Sequence, residues 1–416
     1  MTTVERDVTA RGRVDADPRQ RRGVHRMRAG RVPVITFLIA LVFFFGPPAA
    51  YLAGVQASQI DNRALTKLPS ISQGWDALPQ LGRWATDHLA GRKQAVDANG
   101  ALSRGVYRED PKYGTDSGGS VVYPRVIEGK DGWLYFGGDV SNRCNPAAPV
   151  EQVIASMRQL AQAVTASGRR FILVVAPDKS TFYPEHLPAQ FAGKRCLAPR
   201  NDAFWRQLRA TPGIGSLDLR AALQRGADRN GELVYRPHDT HFSGYGASIY
   251  GQLLASALDP RLSTGTPVEP GPEVNSRGDL SLFLGHPVND RLAGYPLHRT
   301  GVTLIPGSDP NLRYSVTRVR NTTSSAPLYG EPTMLLGDSF TQTSASHLVP
   351  YFADLRLLYS EIVKSSPQLV ANALIDRGTV IYEIVERSAS TGYAALLAPA
   401  SIKVIRDALA THSYKR

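Results

Sequence analysis

Thr333-Met334-Leu335-Leu336-Gly337-Asp338-Ser339-Phe340 is an apolar run that stops at a glycine and two small turn-forming residues. Without polar alternation, Thr333–Leu336 has the pattern of a strand buried on both faces, as in a parallel sheet. Phe171–Ala176 (FILVVA), closed by Pro177, has the same pattern, and Leu355–Tyr359 and Thr379–Val385 continue it. Short strands are expected at Leu217 and over Leu233–Tyr235. Helical spacing runs through Val150–Ala166, Asp202–Ala210, Leu219–Gly226, Phe242–Leu258 and Pro367–Ile375, and a helix start follows at Thr341–Val349. Strands alternating with helices predict an α/β fold, a layered parallel sheet flanked by helices.

The 416 residues are 42% hydrophobic and 20% charged, enough for a sizeable core. That composition excludes a disordered, collagen-like or disulfide-dense chain. The formal net charge of +12 raises a nucleic-acid reading, but the charge is uneven. Residues 1–31 hold nine arginines against four acids and few large apolar side chains, so a disordered tail is expected there. Val32–Val55 follows with 24 uncharged residues, the one long run of its kind. It reads as a transmembrane anchor, in preference to a cleaved signal peptide or a buried helix, with Pro47 and Pro48 kinking or ending the straight part. The basic tail then stays cytoplasmic and the rest of the chain lies outside, on the cell membrane. This placement, and the lack of a basic recognition helix, disfavour nucleic acid as a partner.

Residues 56–125 are expected to form a helical and loop lead-in, with Trp75, Leu78, Leu81, Trp84 and Leu89 at helical steps and loop over 106–125. Val126-Ile127 and Trp133–Phe136 flank Gly129-Lys130-Asp131-Gly132, a hairpin signal. The main domain is expected over 126–400, with 259–300 as a loop-rich insertion and 401–416 as a C-terminal tail. Cys144 and Cys196 are the only cysteines, and an even count outside the cytoplasm permits one disulfide across 52 positions; two part-buried thiols are the alternative. Without nearby histidine pairs they make no zinc site, and neither metal nor cofactor is expected.

Two segments carry chemistry. Gly337-Asp338-Ser339 sits where a strand feeds a helix, at the carboxyl edge of the sheet, where sites of α/β folds collect. There the Ser339 N–H and the helix N-terminus can face a developing oxyanion, and Gly337 permits the tight turn. The bland alternative is a turn and an N-cap. Tyr235-Arg236-Pro237-His238-Asp239-Thr240-His241-Phe242 supplies what a serine needs, an imidazole base and a carboxylate to orient it. In an extended segment Asp239 and His241 point to one side and can meet. His238 competes as the base, and Asp239 also suits a helix N-cap.

Asp239-Thr240-His241-Phe242-Ser243-Gly244-Tyr245-Gly246-Ala247, followed by Gly337-Asp338-Ser339-Phe340, resembles the SGNH-hydrolase-like acetyltransferases of the alginate O-acetyltransferase (AlgX/AlgJ) type. Further segments resemble the family in order: Asp61–Leu65 with Pro69, Gly129–Tyr135, Pro177 with Lys179, Tyr183, Pro184 and Glu185, Gly278-Asp279-Leu280, and Glu383 with Glu386-Arg387. The resemblance implies an SGNH-like domain with Ser339 as nucleophile, His241 as base and Asp239 as its orienting acid. It implies an acyl-serine intermediate, a polysaccharide acceptor and a membrane-bound O-acyltransferase partner that supplies acetyl. Phe242 and Ser243 depart from the family's usual Trp and Thr. No carbohydrate-binding module is expected after the domain, so the acceptor is expected to differ from alginate.

Around the trio, Gly337, Asp338 and Asn321 are candidates for the oxyanion and supporting positions. Lys179, Tyr235 and Arg387 are candidates for substrate binding, Lys179 and Arg387 for an anionic acceptor; salt bridges or solvated faces are the competing roles for those two. A carbohydrate esterase and a non-catalytic glycan-binding protein are the alternative functions.

Overall fold

The computed structural model describes residues 32–55, 65–66, 68–70, 74–75, 77–89, a few isolated positions between 98 and 113, and 123–415. The expectations for residues 1–31 and 56–64, and most of those for 90–122, lie outside the described residues.

Apart from a two-residue pair, Lys112–Tyr113 with Tyr123–Pro124, the strands are β1 (Val126–Glu128), β2 (Leu134–Phe136), β3 (Arg170–Ala176), β4 (Ser216–Leu217), β5 (Gly271–Arg277), β6 (Asn289–Gly294), β7 (Val302–Leu304), β8 (Thr317–Thr323), β9 (Thr333–Gly337), β10 (Asp354–Tyr359) and β11 (Thr379–Val385). Seven of them form one sheet in the order β4-β3-β11-β9-β10-β8-β7. The first five are mutually parallel, and β8 and β7 are added antiparallel. Every residue of β9 and β11 is buried, as their unbroken apolar runs require of central parallel strands.

The principal helices are α1 (Val32–Leu52), α2 (Ala77–Asp87), α3 (Gly137–Cys144), α4 (Val150–Thr165), α5 (Lys194–Ala210), α6 (Leu219–Asn230), α7 (Gly244–Leu258), α8 (Asp279–Phe283), α9 (Ser339–Leu348), α10 (Pro367–Leu374) and α11 (Pro399–Ala410). Successive strand residues point to opposite faces, and two cores result. On one face Leu173, Val175, Leu336, Val380 and Tyr382 pack against α4, α5, α10 and α11. On the other Ile172, Val174, Leu335, Leu357 and Ile381 pack against α6, α7 and α9. The α/β sandwich read from the strand pattern is therefore present.

Several boundaries differ from the sequence reading. Residues 401–416 were expected as a tail, but α11 buries Ile402, Ile405 and Leu409 in the first core, after a proline suited to a first helical turn. The insertion over 259–300 carries an antiparallel hairpin, β5 against β6, with α8 between them. Leu233–Tyr235 makes no strand; only an isolated bridge joins Tyr235 to Phe242. Helix α5 starts at Lys194 and runs through Pro199, and α1 continues past Pro47 and Pro48 to Leu52. Most of the expected anchor is thus helical, yet among the described residues no helix is long and apolar enough to cross a membrane.

Cys144 at the end of α3 and Cys196 in α5 are joined, with Cα atoms 5.3 Å apart. The closed loop spans 52 positions and includes all of β3. Replacing both cysteines with serine is expected to lower stability by about 4 kcal/mol in the chain-entropy account of such a loop. Urea unfolding of the oxidised wild type and the double variant measures the difference; a loss well under ~1 kcal/mol would show that the bridge restrains little.

Candidate functional site

The carboxyl ends of β3, β11 and β9 lie side by side, so Pro177–Lys179, Glu386-Arg387 and Asp338-Ser339 emerge along one edge. Asp338 caps α9, its Oδ1 accepting the Phe340 N–H at 2.9 Å and its Oδ2 the Val385 N–H at 2.8 Å. Ser339 is the first residue of the helix and half-buried, at the positive end of the helix dipole. A side chain at Gly337 would strike Thr341 one turn along, so the turn before the serine accepts only glycine.

Glu383 on β11 braces this turn from below. It is buried, and its Oε2 accepts the Asp338 N–H at 3.1 Å and the Thr341 hydroxyl at 2.7 Å. Burial and the neighbouring Asp338 push its carboxyl well above the ordinary range, which favours its neutral form. Burial raises Asp338 as well, against the N–H groups it accepts. Asp338 is therefore a cap rather than an oxyanion donor.

Asp239 and His241 meet, though not through the extended geometry expected of them. Residues 236–241 form a turn closed by the Tyr235–Phe242 bridge. Within it Asp239 Oδ1 accepts the backbone N–H of His241 at 2.9 Å, an Asx-type turn, and also meets Nδ1 of the ring at 2.9 Å. The His241 ring then packs on Phe340, centroids 5.0 Å apart, beside the residue that follows Ser339. His238, the rival base, is engaged elsewhere, its Nδ1 2.6 Å from Asp290 Oδ1 on β6.

A third acid joins the pair. Asp279, at the start of α8, brings Oδ2 to 3.4 Å from His241 Nδ1 and accepts the Thr240 N–H at 2.7 Å through Oδ1. Its own N–H donates to Asp239 Oδ2 at 3.1 Å. Gly278 permits the approach, because a Cβ there would run into the His238 carbonyl. Burial pushes His241 down, but hydrogen bonds and charge from Asp239 and Asp279 outweigh it and lift the imidazole to about 9. Asp239 moves oppositely: burial raises it, and Arg236 and His241 together hold it well below the usual carboxylate range. Arg236 reaches Asp239 Oδ1 at 3.0 Å. Ligand atoms of Asp239, His241 and Asp279 lie within 4.8 Å of one another, a spacing open to a metal ion. However, the Asp239 oxygens already accept N–H groups and a guanidinium, and Oδ1 of Asp279 accepts Thr240, a donor set arranged for holding a proton.

The remaining expected residues occupy other roles. Asn321 lies at the opposite end of the sheet, where its amide donates to the carbonyls of Val349 and Phe352, so it is no oxyanion donor. Lys179 is buried, and its Nζ donates to the carbonyls of Arg236, Pro237 and Asp239, holding the turn rather than a substrate. Burial lowers it to about 8. Tyr235 is fully buried with its hydroxyl on the Pro177 carbonyl, out of reach of a ligand. Arg387 pairs with Asp178 and Asp139, in a buried network that also holds Arg143 against Asp178 and Glu386. It lies over the rings of Phe136 and Phe340. Beside the site, between α7, α9 and the β5–β6 hairpin, opens a cavity of about 580 Å³ lined by Arg236, Phe242, Val274, Tyr295, Gln342 and Thr343. The sequence reading missed that cavity, and it used Gly278-Asp279-Leu280 only as part of a resemblance.

A family model described as an SGNH hydrolase-like domain, acetyltransferase AlgX, matches residues 126–364, more than half of the chain. The chain belongs to this family. It is 28% identical over 244 residues to the probable alginate O-acetylase AlgJ of Pseudomonas aeruginosa, covering 52% of this chain and 60% of that protein. It is 27% identical over 285 residues to the AlgJ of Pseudomonas fluorescens, covering 63% and 68%. The chain thus spans less than two thirds of the Pseudomonas aeruginosa relative. Among solved structures, the O-acetyltransferase domain of Pseudomonas putida AlgJ aligns with a TM-score of 0.46 at 20% identity, covering 68% of this chain and 98% of that one. Bacillus cereus PatB1 aligns with a TM-score of 0.46 at 14% identity, covering 66% and 99%.

Because folding raises the Glu383 carboxyl above its ordinary value of 4.5, its contribution to folding is complete below that value and declines as the pH rises toward its folded value. Glu383→Gln keeps an acceptor for Asp338 and Thr341 and cannot ionise. Its melting temperature at pH 7–8 is expected to equal or exceed that of wild type. Glu383→Ala strands both donors and is expected to cost about 2 kcal/mol. Thermal denaturation of the three proteins across pH 5–8 checks this, and a Gln variant as damaged as the Ala variant would show an ionised Glu383.

Proposed function

We propose that the chain is an O-acetyltransferase that moves acetyl groups to hydroxyls of a cell-surface or secreted polysaccharide through an acetyl-serine on Ser339. The observation that carries the reading is the His241 imidazole, held at Nδ1 by carboxylates and packed on the residue next to a serine at a helix N-terminus. Membership of an acetyltransferase family supports it.

In the first half-reaction Ser339 Oγ attacks the acetyl carbonyl carbon while Nε2 of His241 takes the hydroxyl proton. The oxyanion forms toward the Ser339 N–H and the first turn of α9. His241 returns the proton to the departing group, the carbonyl re-forms, and acetyl remains as an ester on Oγ. In the second half a sugar hydroxyl gives its proton to His241 and attacks the same carbon, releasing Ser339. Asp239 stays ionised throughout, keeping Nδ1 protonated and Nε2 free to exchange the reacting proton. An imidazole lifted to about 9 is largely protonated at pH 7, so the rate is expected to rise with pH toward that value.

The proposal extends to place. The uncharged segment at 32–55 would hold the domain on the outer side of the cell membrane, and a membrane-bound O-acyltransferase would deliver acetyl to it. The acceptor is a polysaccharide, and no nucleic acid takes part.

The test uses the full chain with p-nitrophenyl acetate, followed by intact mass. Wild type is expected to gain one acetyl, and Ser339→Ala none. Discharge of the adduct faster with an acceptor oligosaccharide than with water supports the transferase; discharge by water alone makes the protein an esterase. Absence of a Ser339-dependent adduct overturns both.

A further inference from the structure

The β5–β6 hairpin lies at the margin of the second core, with Ala293 of β6 packed against it. Polar contacts from each of its parts tie it to the site. Ser276 on β5 accepts from Arg236 at 3.0 Å, Asp290 on β6 meets His238, and Asp279 in α8 between the strands meets His241. Asp279 is the one that reaches the base itself. Its side chain is buried, and one oxygen is fixed by Thr240, whose N–H and hydroxyl both donate to Oδ1. The other oxygen is thereby turned toward Nδ1 of His241, the nitrogen that already meets Asp239.

We propose that Asp279 is a positioning residue for the acyl-transfer reaction: with Asp239 it holds the Nδ1–H of His241 between two carboxylates. The proposal rests on the reading of His241 as the general base. One carboxylate suffices to choose a tautomer. A second, approaching from a different element, also fixes the ring against rotation about its own axis. It adds a second negative charge to stabilise the imidazolium formed when Ser339 or the sugar gives up its proton.

The surrounding charges leave this role to the two acids. Arg236 faces Asp239 and offsets part of its charge. Lys179 donates to the Asp239 carbonyl, on the backbone rather than the carboxylate. Asp290 is taken up by His238. Beyond the Phe340 ring stand Asp338, held by two N–H groups, and Arg387, paired with Asp178. No arginine or lysine is paired with the Asp279 carboxylate in an ion pair among the described residues, although the Lys179 ammonium lies within electrostatic reach of it as it does of Asp239.

The experiment compares wild type, Asp279→Asn and Asp279→Glu as full chains, with two readouts. The first is the His241 imidazole titration by NMR, its signal assigned with His241→Gln. The second is the pH profile of kcat/KM with p-nitrophenyl acetate. The Asn variant keeps an acceptor for Thr240 but loses the charge. Its His241 inflection is expected about one pH unit or more below that of wild type, a tenfold loss of proton affinity. Its kcat above both inflections is expected to fall about tenfold with KM unchanged, and Asp279→Glu to recover part of the shift. A merely structural Asp279 would lower activity without moving the inflection, and that outcome overturns the proposal. So does a wild-type imidazole that titrates at or below its ordinary 6.5, a result readable even if the Asn variant does not fold. If wild type forms no Ser339-dependent adduct while the NMR inflection still moves, the acetyltransferase reading falls and the pairing stands.

Discussion

Asp239 carries a negative charge where there is no water to solvate it, and the shape of the site follows from that constraint. A buried carboxylate is tolerable only if its lone pairs are filled by donors and its charge is matched. Here the donors come from three places: the backbone and ring of His241, the backbone of Asp279 and the guanidinium of Arg236. Each of these must hold its position for the charge to stay buried. The turn over 236–241 and the clamp of Lys179 on three carbonyls follow from that requirement, and α8, which docks through Leu280 and Phe283 on Val126 and Leu134, brings the Asp279 N–H to it.

The nucleophile side is built on the opposite principle. Glu383, under the turn that presents Ser339, is pushed toward its neutral form by burial and by Asp338, and its hydrogen bonds to Asp338 and Thr341 set the geometry. Between the two sides Phe340 touches His241, Phe242 and Tyr235, an apolar partition that keeps water from the face of the imidazole. Charge on the base side and a carboxyl biased against ionisation under the serine suit a reaction in which negative charge appears briefly near Ser339 and positive charge on His241.

The parts of this arrangement that lie within one stretch of sequence were readable from it. The apolar runs at 171–176, 333–337 and 379–385 announced a buried parallel sheet, and Gly337-Asp338-Ser339 announced the turn at its edge. Asp239 and His241, two residues apart, were paired by proximity in the chain, although a turn rather than an extended segment joins them. Contacts between distant elements were not readable in this way. Asp279 lies 40 positions from Asp239 in a region whose prolines and glycines read as loop. Arg387 and Lys179 read as substrate contacts because charged side chains are seldom buried. Only the fold reveals that Asp178 and Asp139 take up the one, and three carbonyls the other. Asn321 was misplaced because a polar residue near a strand end gives no sign of which end of the sheet it will occupy.

The β5–β6 hairpin has a consequence of another kind. Most of β5 is exposed, so no apolar face dictates how it aligns with β6. A strand pair of that sort is free to slip, and a slip by one residue would turn each side chain to the other surface. What fixes the alignment is Ser276 on Arg236 and Asp290 on His238, one tie on each strand. Strand register, elsewhere a matter of folding fidelity, bears here on the site, because the two strands carry α8 and with it Asp279 between them. Sequence drift in the hairpin can therefore retune the base while the sheet beneath it stays as it is.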